Sequence, residues 1–157
     1  QFNELPEAEL EQFLFGARRE AIAHLAAPLR ELQDGACFYC GARLRGVAQV
    51  DHFVPWSRYP DDGLDNLVAA DPQCNARKSD HLAATGHVEE WTRRMQGRAT
   101  DLDGIAAKMG WPRERRRTLA VARSIYLRLP TNARLWQLGR DFVPVDTARL
   151  RRAFDRL

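Results

Sequence analysis

Cys37-Phe38-Tyr39-Cys40, Val50-Asp51-His52-Phe53-Val54-Pro55, Asp65-Asn66-Leu67 and Asp71-Pro72-Gln73-Cys74-Asn75-Ala76-Arg77-Lys78 are the four runs that decide how this chain reads. The first is a metal-type knuckle, with Gly41 after it to help a tight turn. Gly46 to Val54 is strand-like, because Val47, Val50, Phe53 and Val54 are β-favouring, and Pro55 ends it. Trp56 to Leu64 is rich in Pro, Asp and Gly and reads as a loop. Leu67 to Ala70 is a second short strand. Pro72 suits the first turn of a helix that carries Cys74, Asn75 and Lys78. The order is strand, loop, strand, helix.

The polar residues in those runs are the types that phosphodiester hydrolysis needs. A water must lose a proton, the phosphate must be neutralised, and the leaving oxygen must be stabilised. One divalent cation does the last two jobs and prefers oxygen ligands. A neutral imidazole accepts a proton near pH 7. Asp51, His52 and Asn75 supply a carboxylate, an imidazole and an amide oxygen. On a regular strand Asp51 and His52 point to opposite faces, which implies a local distortion or separate roles.

In order and spacing these residues resemble the HNH (ββα-metal) nucleases. Asp51-His52, Asp65-Asn66 and Asn75-x-x-Lys78-Ser79-Asp80 look like the HNH domain of the RNA-guided type II CRISPR nucleases. The knuckle is similar to those of McrA-like restriction enzymes. The resemblance spans Cys37 to about Asp80. It implies that Asp51 binds Mg2+ or Mn2+, that His52 activates water, that Asn66 holds the histidine, and that Asn75 is the second metal ligand. It also implies products with a 5′-phosphate and a 3′-hydroxyl. Lys78 lies one turn after Asn75 and reads either as a phosphate contact, with Arg77 and Arg58, or as solvated helix surface. The family usually holds a structural Zn2+ with two Cys-x-x-Cys pairs. Here the second has become Asp71-x-x-Cys74, so Cys37, Cys40, Cys74 and Asp71 make the preferred ligand set. His81 or His87 as fourth ligand, or thiols that merely pack, are the alternatives.

Outward from this centre the chain reads as helical, making an α+β fold: a ββα-metal core with a zinc knuckle, flanked by N- and C-terminal helices. We divide it into a helical brace (1–36), the core (37–83) and a C-terminal helical region (84–157), all in one compact unit. Residues 7–33 carry Leu10, Phe13, Leu14, Ala17, Ala21, His24 and Leu25 on one face. Pro28 implies a break near Ala26-Ala27. Further helices are expected over 88–96, 101–109, 112–129, 131–138 and 146–157. Trp56, Arg58 and Tyr59 could stack on or clamp nucleic acid, although Trp56, close behind Pro55, fits burial better. The arginines near Arg113 and Arg149 fit a solvated face better than a phosphate grip.

Of 157 residues, 45% are hydrophobic, enough for one packed core. Net charge is +3 and the pI about 9.0, carried by arginine apart from Lys78 and Lys108. That suits a nucleic-acid partner, and equally a GC-rich genome that writes arginine for lysine; the expected partner is DNA rather than RNA. No apolar run could cross a membrane. With Glu4, Glu7, Glu9 and Glu11 the opening stretch does not read as a signal peptide. Three cysteines make an odd count, which points to a reducing compartment, the bacterial cytoplasm, rather than disulfides. Gln1 at the start suggests a trimmed or partial chain, with an additional N-terminal domain or partner protein. The expected function is a DNA endonuclease of weak sequence specificity. Two other readings are an effector nuclease of a bacterial defence system and a non-catalytic zinc-containing nucleic-acid-binding module.

Overall fold

The computed structural model describes residues 6–157; the acidic start at Glu4 lies outside them. The element order is α1 (Glu7–Ala23), α2 (Ala26–Leu32), β1 (Gln49–His52), β2 (Leu67–Ala70), α3 (Pro72–Lys78), α4 (Thr85–Gly97), α5 (Ala99–Met109), α6 (Arg115–Leu127), β3 (Arg134–Leu138), β4 (Asp141–Pro144) and α7 (Thr147–Asp155). A 3-10 turn over Leu64–Asn66 leads into β2. Strands β1 and β2 pair antiparallel, with Asp51 opposite Val68 and His52 opposite Leu67. Helix α3 follows β2 directly and packs on β1. The central ββα order therefore stands as read from the sequence, with β1 shorter than the expected 46–54.

One packed core joins this unit to both flanks. Trp91 of α4 stacks on Phe53 just after β1, with ring centroids 4.4 Å apart. Its indole N–H donates to the Asp65 carbonyl at 2.8 Å, so the polar edge of a buried ring is satisfied. The knuckle turns through Gly41, whose φ of +72° is one a residue with a Cβ rarely adopts.

Three expectations are corrected. Residues 131–138 are not a helix, because β3 pairs with β4 in an antiparallel hairpin turned at Gly139. Trp136 docks that hairpin on the core: its N–H donates to the Leu82 carbonyl and its carbonyl accepts from the Ala84 N–H. The C-terminal region is thus not all-helical. The first helix breaks at His24-Leu25, slightly before the expected point, and Pro28 sits in the first turn of α2, where it costs no hydrogen bond. The apolar face expected to bury along α1 does so only at its end. Ile22 is α1's one buried residue, while Leu10, Phe13 and Leu14 are exposed. No helix among the described residues is long and apolar enough to cross a membrane.

Candidate active site and cysteine cluster

Asp51 and His52 end β1, and their side chains leave it toward different partners. Asp51 is buried. Its Oδ2 accepts from the Tyr39 hydroxyl at 2.5 Å and lies 3.1 Å from the Lys78 ammonium. Lys78 also donates to the His52 carbonyl at 2.9 Å, so one side chain holds both residues of the pair. Lys78 is fully buried, which corrects the expectation that it meets phosphate or solvent. Burial pushes its pKa down, against the pull of Asp51. Burial, and then the Asp51 charge, push the Tyr39 phenol well up, so Tyr39 stays a donor.

Asn75, on α3, donates to the Gln49 side chain at 2.8 Å. Gln49 lies two residues before Asp51 on β1, so both share a strand face and Asn75 is brought to it. With its Nδ2 spent on Gln49, Asn75 turns its amide oxygen elsewhere. Asp51 likewise has both hydrogen-bonded partners on Oδ2, which leaves Oδ1. A carboxylate and an amide oxygen are the ligand types a hard cation takes.

Asn66 is fully buried, and its side chain hydrogen-bonds Val54 rather than the imidazole. Its Oδ1 accepts from the Val54 N–H at 2.8 Å, and its Nδ2 donates to the Val54 carbonyl at 3.0 Å. The Phe53 N–H adds a bond to the Asn66 carbonyl at 2.7 Å. Asn66 therefore clamps the backbone that leaves the strand beyond His52.

Two residues absent from the sequence reading meet the imidazole's surroundings. Nε2 of His52 lies 2.7 Å from Oδ1 of Asp62. Arg18 of α1 grips the same carboxylate, with Nη2 at 3.0 Å from Oδ1 and Nε on Oδ2. Burial works against the Asp62 charge. The hydrogen bonds from Arg18 and His52 outweigh it and hold the carboxyl below the ordinary range. Asp62 stands in Asp61-Asp62-Gly63, which in sequence reads as a plain turn. Arg18 is one of two adjacent arginines in α1. Neither carries a local signal.

Around the site, Trp56 is 41% exposed rather than buried, with the Arg18 guanidinium over its ring at 3.6 Å. Tyr59, weighed as a stacking residue, is buried and bonded to Thr118 at 3.2 Å. Arg58 and Arg77 are exposed. Arg113 and Arg149, expected on solvated faces, are ion-paired with Asp65 and Glu89.

Cys37, Cys40, Cys74 and Asp71 bring their donor atoms within 4.8 Å of one another. All three cysteines are free thiols. Asp71 divides its oxygens. Oδ1 caps α3 by accepting from the Gln73 and Cys74 N–H groups, each at 2.9 Å, while Oδ2 lies 3.3 Å from the Cys40 sulfur. Burial opposes its charge. Hydrogen bonds from Cys74, Cys40 and Cys37 prevail and bring its pKa down to about 2. Burial pushes the Cys37 and Cys74 thiols up. The histidine alternatives lie elsewhere: His87 bonds the Gln137 carbonyl and stacks on Trp136, and His81 packs edge-on against Phe142. Three thiols and one carboxylate at this spacing suit tetrahedral zinc.

Residues 37–84 match the family model described as HNH endonuclease. No curated protein matches the chain.

Proposed function

We propose, on the match of residues 37–84 to the HNH endonuclease family model, that the chain is a divalent-metal-dependent endonuclease cutting DNA. The observation that supports this most is Lys78 spanning the Asp51 carboxylate and the His52 carbonyl beneath α3. It fixes the Asp51 carboxylate and the backbone that carries the His52 imidazole at one strand end. In this reading His52 takes the proton from the attacking water. The water oxygen joins phosphorus as the P–O3′ bond breaks, and the departing O3′ takes a proton from solvent, leaving a 5′-phosphate and a 3′-hydroxyl. Asp51 and Asn75 are the residues that would hold Mg2+ or Mn2+, which supplies charge neutralisation on the phosphate and the leaving oxygen. Cys37, Cys40, Cys74 and Asp71 would hold Zn2+ as a brace between the knuckle and α3. Asn66 holds the backbone beyond His52 through its clamp at Val54. Arg58 and Arg77 meet backbone phosphates, which carry no sequence information, and so sequence specificity is weak. An effector role in bacterial defence is the cellular reading we attach, on resemblance alone.

Nicking of supercoiled plasmid with Mg2+ or Mn2+ tests this, run beside EDTA and His52→Ala. Cutting should need the metal and fall roughly 10²- to 10⁴-fold in the variant. Cutting that survives in the variant removes His52 as the base. A folded wild type that binds DNA and cuts nothing turns the reading to the zinc-containing binding module.

A further inference from the structure

We infer that Asp62 is the positioning residue of His52 and that Arg18 completes the unit, so that a helix outside the family-matched segment takes part in setting the base. This deepens the nuclease reading and rests on it.

A neutral imidazole carries one N–H and one lone pair, and either nitrogen can hold either. Asp62 decides between them. Its carboxyl is held ionised and so can only accept, and it lies 2.7 Å from Nε2. Nε2 therefore carries the proton, and Nδ1 carries the lone pair that takes a proton from water. A carboxylate that fixes tautomer and ring direction is a recurring partner of working histidines.

Asp62 is itself held on every side. Arg18 forks onto both of its oxygens. Trp111 donates its indole N–H to the Asp62 carbonyl at 2.7 Å. On one side of it, the Asp61 carboxylate accepts from the Gly63 N–H at 2.7 Å and from Arg117 at 2.5 Å. A Cβ at Gly63 would fall 2.7 Å from that Asp61 oxygen, so a side chain there would displace the Asp61 carboxylate. Arg18 is aimed by Trp56, whose ring it covers and which also meets the His52 ring edge at 5.6 Å between centroids. The residue expected to orient the imidazole, Asn66, has both side-chain polar atoms committed to Val54. With Ile22 as its one buried residue, α1 is tied to the site chiefly through Arg18.

Plasmid nicking by Asp62→Ala, Asp62→Glu, Arg18→Ala and the Asp62→Ala/His52→Ala double variant tests the unit. Nitrogen-15 NMR of the histidine side chains is recorded on the folded wild type and on Asp62→Ala. For Asp62→Ala, kcat should fall roughly 10- to 100-fold with KM little changed. Asp62→Glu should recover part of that loss. In the double variant the Asp62 change should cost nothing further. The His52 spectrum should show the Nε2–H tautomer in the wild type and a mixture in Asp62→Ala. An unchanged kcat, or the same tautomer in both proteins, overturns the positioning role. Arg18→Ala should lose less than Asp62→Ala. A rate equal to or above wild type overturns its membership, since α1 would then be a cover over the base. A wild type that cuts nothing refutes the nuclease reading, and the NMR comparison still decides the positioning.

Discussion

Lys78 illustrates what a single side chain does once it is buried. Its helix position is legible in sequence, one turn past Asn75, but its burial is not, because that depends on β1 and Tyr39 closing over it. With its ammonium on Asp51 and no exposure, it cannot meet solvent phosphate. Lys78→Met leaves the Asp51 charge without that partner and should cost about 3 kcal/mol in urea unfolding. The slope of log Kd against log salt for DNA should stay unchanged. Arg58→Ala, at an exposed position, should lower that slope by about 1 and leave stability as it was. Asn66 makes the converse point. Its type and place were legible, while its partner, the Val54 backbone, was set by the turn after β1. Asn66→Ala strands a buried N–H and C=O of Val54 and should cost about 2 kcal/mol. Asn66→Asp, which can still accept from the N–H, should lose less.

At the scale of elements, Asp71 serves helix α3 and the sulfur cluster at once, and two substitutions separate the tasks. Asp71→Asn keeps an oxygen for the Gln73 and Cys74 N–H groups and removes the carboxylate charge. It should weaken zinc binding, read by competition with a chromogenic chelator, and leave the stability of the chelated protein nearly unchanged. Asp71→Ala should weaken zinc as much and also cost about 1 kcal/mol for the lost cap. The hairpin β3–β4 shows where sequence reading was misdirected. Leu135-Trp136-Gln137-Leu138 carries no clean alternation, and its neighbours on both sides were read as helices. The two-residue Gly139-Arg140 turn is what joins the strands. Trp136 needed the Leu82–Ala84 backbone to pair with, and that edge exists only in the folded core.

At the scale of the molecule, the family-matched segment depends on what surrounds it. Phe53 stacks on Trp91, Trp111 and Arg117 hold the Asp61–Gly63 turn, and Arg113 pairs with Asp65. A fragment of residues 37–84 should therefore lack cooperative thermal unfolding and nick no plasmid, even with zinc added. His87 makes a second whole-molecule prediction. It is buried between Tyr39 and Trp136, and burial lowers its pKa. The unfolded chain then binds this proton from about pH 6.5 downward while the native state resists it. Stability from this group is complete above that pH and declines as pH falls toward the lowered native value. His87→Gln, which keeps a donor for the Gln137 carbonyl, should flatten the decline in urea midpoint between pH 7 and 5.

What the sequence by itself determined is local: the knuckle, the strand before Pro55, the proline-started α3, and the residue types of the site. Each follows from chemistry within a few positions along the chain. Only the tertiary structure decided which groups meet across long separations. Arg18 reaches Asp62 from 44 residues away, and Lys78 reaches the His52 carbonyl from 26. Arginine and aspartate sit as readily in solvent as in an ion pair, so they carry no periodic signal. Packing of α1 and the C-terminal elements against the ββα unit selects which of them become partners.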